Sequence, residues 1–443
     1  MSNDMRQGRL TKPLLMFSIP LILSGLLLQL FNWADAMVVG NIEGDLALAA
    51  IGASGTVPGV FVLVITGFTS GIGILSAQMY GNGQHQDLKR VLFSFALTIG
   101  TACTVLGFAG SLFAPNILRA LHTAQDTVAI ASQYLRIYML GTPFVAIYNV
   151  YAAVLRGCGD SKAAFFAISV SSLINLILDV IFVAGFHWGA AGAAVATVFS
   201  QSAMAVFIVG YTGRKYGFLR LNIREDKVDQ GILLRGVGMG LPIAVQSSIK
   251  SVGNLALQSF MNGFGSLTVA AITTAYRIDN VVMLPVIHFG TGIATAVAQN
   301  TGTGDVQRAR KSLYIGMCVM AVISLALTGI VVLGGQTLLS LFGLSSISVK
   351  IGTDFFQYIA RFYLVFGVAT AIRNYLDGCG DVVFTSIVNV VAMLIRVAVS
   401  YRIGNQCGND IFALAESISW GILLGIYMIR YLWITRGPAR KVS

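Results

Sequence analysis

Charge is the scarcest property of this chain. Only 11% of its 443 residues are Asp, Glu, Lys or Arg, less than half of the roughly 25% usual in soluble domains. Hydrophobic residues make up 56%, and the mean hydropathy is +0.78. A water-soluble multidomain protein is excluded. Histidine is nearly absent: His85, His122, His187 and His288 stand singly. With no His, Asp and Glu cluster at metal-ligand spacing and no nucleophile flanked by a base, the chain is not expected to be an enzyme. The five cysteines, Cys103, Cys158, Cys318, Cys379 and Cys407, are dispersed, which excludes a disulfide framework and a thiolate metal site. No GxxxxGK[ST] run occurs, so nucleotide-driven work is excluded as well. No cofactor and no partner chain is called for, and the expectation is a monomer.

Long apolar runs are what the chain has instead. Crossing ~30 Å of hydrocarbon takes about 20 helical residues, and runs of that length recur twelve times. They cover residues 13–39, 50–79, 91–113, 128–155, 163–184, 190–212, 236–262, 269–299, 312–334, 351–376, 382–403 and 411–434. The first is too long for a signal-peptide core and is read as a retained helix. The 49 glycines suit closely packed membrane helices. The expected fold class is an all-α integral membrane protein of twelve transmembrane helices. With Arg430 and Arg402, each near the end of its run, counted with the adjacent terminus or break, twenty Lys and Arg fall at the termini and the even-numbered breaks, against Arg119, Lys350 and Arg402 at the odd-numbered ones. Positive charge is retained on the cytoplasmic side, so both termini are expected in the cytoplasm and the protein in the cytoplasmic (inner) membrane. The same topology accounts for the net charge of +11 without a nucleic-acid partner.

The chain also repeats itself. At an offset of 221, Ala49, Ala50 and Ile51 fall on Ala270, Ala271 and Ile272, and Gly71 and Ile72 on Gly292 and Ile293. Ala77 and Gln78 fall on Ala298 and Gln299, and GCGD at 157–160 on GCGD at 378–381. Residues 1–212 are therefore expected to form an N-terminal six-helix lobe and residues 236–443 a C-terminal one. The polar stretch 213–235 is expected to be a cytoplasmic linker. Six helices per copy make the repeats parallel, a transporter architecture in which substrate lies near the midplane. The two GCGD turns are expected to be structural, with Asp capping the helix that follows.

The few embedded polar residues carry the chemistry. Asp35 lies in QLFNWADAMVVG, and SVSSLINLILDVIFV holds Asn175 and Asp179 one helical turn apart. A charged residue at the bilayer centre costs roughly 2.5–3.5 kcal/mol on insertion scales, so each acid needs a use or a partner. At the repeat offset Asn175 becomes Arg396, Asp179 becomes Ser400 and Thr197 becomes Ile418. The second repeat instead embeds Lys250, Arg277, Asp279, Arg373 and Arg396, with Glu416 an available partner for Arg396. These sequence positions make a cation or proton site the simplest use of the first-repeat acids.

QLFNWADAMVVGN, YAAVLRGCGDSK, NLILDVIFVAGFHWGAAGAAVATVFSQ, AITTAYRIDN and GTGIATAVAQNTGTGD, in this order and spacing, make the chain resemble the multidrug and toxic compound extrusion (MATE) family of the MOP flippase superfamily. The resemblance implies a V-shaped two-lobe fold and antiport. Inward flow of Na⁺ or H⁺ would drive export of organic, often cationic and amphipathic, small molecules through a membrane lipid setting. It places the coupling site, possible Na⁺ ligands included, at Asp35, Asn175, Asp179 and Thr197, and a helix-bending proline at Pro20. Lys250, Arg277, Asp279, Arg396 and Gln246 are the candidates for the substrate cavity. One branch of the family carries an acid on helix 7, eight positions after a proline; here that position after Pro242 is Lys250. A flippase or exporter of anionic or lipid-linked precursors in the same superfamily is the runner-up.

Overall fold

A computed structural model describes residues 5–222 and 224–436. Among the described residues there is no strand. Eleven helices are long and apolar enough to cross a membrane, and one bent helix pair supplies a twelfth crossing. In chain order they are α1 (Thr11–Gly44), α2 (Ala49–Gly81), α3 (His85–Leu112), α4 (Val128–Leu140 with Thr142–Gly157), α5 (Lys162–Gly185) and α6 (Gly189–Lys215). The second six are α7 (Gln230–Asn262), α8 (Ser266–Gly302), α9 (Val306–Ser340), α10 (Ser346–Gly378), α11 (Val382–Gly404) and α12 (Gly408–Thr435). Each expected apolar run lies on one of them. Large apolar side chains such as Leu333, Leu341 and Val206 stand exposed, as befits surfaces solvated by lipid.

The irregular points have local causes. The two halves of α4 meet at 43°, where Pro143 offers no N–H to the carbonyl of Met139. The Thr142 hydroxyl donates to that carbonyl instead, at 2.8 Å. Helix α10 tightens into a 3-10 turn at Ala360–Phe362, at the same repeat register. Between α1 and α2 the chain leaves helical geometry at Gly44, with φ 79° and ψ −172°, a region that a side chain would strain. Pro20, the expected bending point, leaves α1 helical: among the described backbone of residues 11–81 only Gly44 departs.

Both GCGD turns reverse the chain through a left-handed glycine, Gly159 at φ 83° and Gly380 at φ 94°. The Asp160 carboxylate accepts from the Ala163 N–H at 3.3 Å, capping α5. It also accepts from Lys215 Nζ at 2.7 Å, Tyr216 OH at 2.9 Å and Tyr211 OH at 3.0 Å. Burial alone would raise this carboxyl; the hydrogen bonds from Lys215, Tyr216 and Tyr211 overcome it and hold Asp160 below its ordinary 3.8. Asp381, its counterpart in the repeat, takes a bidentate pair with Arg430 at 2.7 and 3.1 Å.

The chain forms two compact units. The first comprises Leu23–Ala244, and the second joins residues 5–22 to residues 245–436. The chain thus changes unit inside α1 and inside α7, two residues past Pro20 and Pro242 in each case. The first unit is packed around Tyr148, Tyr151, Phe95 and Leu155. In it Gly71 of α2 lies against the α7 backbone, where a Cβ would come 2.5 Å from Gly240 N. The second unit buries Leu14 and Phe17 of α1 with Tyr363, Phe356 and Tyr427. There Gly292 of α8, the repeat counterpart of Gly71, lies equally tight against Ser18 of α1. Each repeat's first helix therefore begins in the unit built mainly from the other repeat.

Candidate functional site

In the first unit α1 and α5 carry the two acids into one place. Asp179 is wholly buried, and its carboxyl approaches that of Asp35 within hydrogen-bonding reach. Neither Asp179 oxygen has a donor among the described residues, nor does Asp35 Oδ1. Two adjacent carboxylates repel, and a buried acceptor without a donor is costly. A single positive species between them, a proton or a small cation, relieves both. One turn beyond each acid, Val39 of α1 and Val183 of α5 are buried in an apolar cluster with Tyr134, Ala190, Ala193 and Ala194.

The backbone contributes as well. Immediately after Asp179, α5 widens into a π-helical turn, Val180–Gly185, a feature frequent at functional sites. Asn175 lies one turn before Asp179, half-buried, and its Nδ2 has no acceptor among the described residues. The Thr197 hydroxyl donates to the Ala193 carbonyl of α6 at 2.9 Å, which leaves its lone pairs free to accept or coordinate. Tyr134, close enough to both acids to feel their charge, stacks on Tyr138 with centroids 6.0 Å apart, and the buried Gln201 Oε1 has no donor among the described residues. Tyr134 and Gln201 escaped the sequence reading. Their only signal was a Tyr pair at i and i+4, a pattern far commoner in plain packing.

The second unit holds a different cluster. Arg396 of α11 donates to Glu416 of α12 at 3.0 Å and to the Tyr276 hydroxyl at 3.0 Å, so the anticipated Glu416 pairing is present. Asp279 of α8 is buried and accepts from Tyr363 OH at 2.5 Å. Arg277, two residues before it, is exposed, and the two do not pair. Arg373 meets Asp377 at 3.4 Å on α10. Lys250 of α7 is exposed, and it feels Arg396, Arg373 and Glu416. Gln246, one turn before Lys250, is half-buried, and its Oε1 has no donor among the described residues. No group of three His, Cys, Asp or Glu suited to a metal ion occurs among the described residues.

Comparisons with known proteins agree with this architecture. The probable multidrug resistance protein YoeA of Bacillus subtilis is 27% identical over 449 residues, covering 97% of this chain and 95% of its own. The multidrug export protein MepA of Staphylococcus aureus is 23% identical over 418 residues, covering 93% and 90%. A MATE crystal structure in the straight conformation superposes with a TM-score of 0.89 at 20% identity, covering 98% of this chain and 99% of that one. An outward-facing multidrug resistance MATE transporter of the MOP superfamily gives 0.88 at 21% identity, covering 98% of each. At that identity the two structures speak for the fold. The MatE family model matches residues 20–181 and 242–402, one segment in each repeat. With more than half of its length so matched, the chain belongs to the MatE family of multi-pass membrane transporters.

Proposed function

We propose that this protein is a secondary antiporter of the inner membrane, with both termini cytoplasmic, in which inward movement of Na⁺ or H⁺ drives export of organic compounds. The multidrug names of its relatives support the export of varied small molecules, and cationic amphiphiles are the first class to test. The observation that carries the coupling is the Asp35–Asp179 pair, two carboxyls in mutual reach with three oxygens lacking any donor among the described residues. A proton or Na⁺ reduces the pair's charge by one unit and relieves the repulsion between the carboxylates. Carboxylate, amide and hydroxyl oxygens are hard donors, and Asn175 and Thr197 offer the neutral ones. Ion loading changes the charge of a buried site by one unit, so the loaded and unloaded states favour different conformations, and substrate that binds one of them is coupled to the ion.

The test is export of a fluorescent cationic dye from proteoliposomes holding the full chain, with a Na⁺ gradient and a pH gradient imposed separately. The wild type is expected to respond to one of them, and that response names the ion. Asp35→Asn and Asp179→Asn are each expected to abolish gradient-driven export at normal protein level. Export that survives either substitution overturns the site assignment.

A further inference from the structure

We propose that Lys250 is the anion-recognition point of the substrate site, so that preferred substrates carry a carboxylate beside their apolar and cationic parts. The proposal rests on the antiport reading above and narrows its substrate class.

Lys250 lies twenty residues after the start of α7 and twelve before its end. It is only four residues, about 6 Å, from the middle of this 33-residue helix, and with about 15 Å of hydrocarbon on either side of the middle its stem of about 6 Å falls short of the nearer interface. The ammonium therefore stays at membrane depth, where a cation is retained only with a partner or a use. Its direction is settled by its neighbours. Gly253, one turn on, packs directly against Met393 of α11. The charges that Lys250 feels are Arg396, Arg373 and Glu416, on α11, α10 and α12. Lys250 thus faces the interior of the second unit and remains accessible there.

No partner waits for it. Among the described residues no carboxylate forms an ion pair with its ammonium. Glu416 is held by Arg396 at 3.0 Å. Asp377 is held by Arg373 at 3.4 Å and by the Thr385 hydroxyl. Asp279 is bonded by Tyr363. Arg396 and Arg373 each have their own carboxylate, and of the three cations Lys250, Arg373 and Arg396 it is Lys250 that is left over. A structural lysine at this depth would have been given a carboxylate within reach. One surplus positive charge on a flexible stem matches one monoanionic group. The half-buried Tyr276 ring, 5.6 Å from the Arg396 guanidinium, is the aromatic group of this cluster on which an amphipathic body would rest. A zwitterionic amphiphile fits this arrangement.

Rhodamine B, which has a free carboxylate, and its ethyl ester, in which that carboxylate is masked, form a matched pair of probes. Both are to be followed in proteoliposomes of the full chain under each gradient. The wild type is expected to export the zwitterion. Lys250→Gln is expected to slow zwitterion export about tenfold or more, the scale of a lost charge-assisted contact, and to leave ester export within about twofold. Lys250→Arg, which keeps the charge, is expected to retain most zwitterion export. Ester export reports on folding throughout. The assignment is overturned if Lys250→Gln slows both dyes alike, if it leaves the zwitterion untouched, or if the wild type exports the ester alone. That last outcome leaves the antiport reading standing, whereas failure of both dyes under both gradients refutes it.

Discussion

Removing Glu416 is the perturbation whose cost the structure states most directly. Its carboxylate lies 3.0 Å from an Arg396 nitrogen, and the two side chains are 11% and 13% exposed. At that distance an effective dielectric of 20 puts the attraction at about 5 kcal/mol, set against desolvation of both ions. Glu416→Gln leaves Arg396 with the Tyr276 hydroxyl as its remaining polar partner here, with the Lys250 charge still near it. Breaking a buried pair from one side costs about 3–5 kcal/mol, whereas replacing both partners by apolar residues of similar volume is often near neutral. Glu416→Gln is therefore expected to destabilise the second unit by about 3 kcal/mol or more. The double variant Arg396→Met, Glu416→Leu is expected to return within about 2 kcal/mol of the wild type. Equilibrium unfolding in mixed detergent micelles measures each corner of this cycle. If the two single substitutions add up to the double one, there is no coupling between the residues and the reasoning fails.

Other expectations follow from packing and charge. Gly71→Ala places a Cβ 2.5 Å from the α7 backbone and is expected to cost about 1–3 kcal/mol in the same unfolding assay. Gly55→Ala, on the same helix with open space around it, is expected to be neutral or slightly stabilising, and an equal loss in both would refute the close-contact argument. Asp160 titrates below its ordinary 3.8 in the folded chain. Its stabilisation is thus complete above that value and is lost as pH falls through the lower folded value. The gap in melting temperature between wild type and Asp160→Asn should hold steady from neutral pH to about 5 and close below about 4; a gap that persists at low pH would show that the carboxylate's charge is not its source.

Much of this protein is legible in one dimension because the bilayer imposes a local rule. Hydrocarbon demands long apolar helices, so the twelve crossings are visible as runs of residues. Any acid left inside such a run stands out by its cost, and Asp35 and Asp179 did. The 221-residue repeat is likewise a property of order alone, and it marked Gly71 and Gly292 long before their close helix contacts were visible. What sequence could not decide is which distant groups meet. That Asp35 and Asp179 share one place, that Tyr134 borders it, and that α1 and α7 each begin in the unit of the other repeat are outcomes of helix packing, to which periodicity along one helix is blind. The same holds in the second unit. Composition counted Lys250, Arg373, Arg396, Asp279 and Glu416, but only their positions in space show that the carboxylates are already engaged and that Lys250 is left over. Burial and proximity, set by the tertiary fold, turn a list of charges into one paired network and one free ammonium.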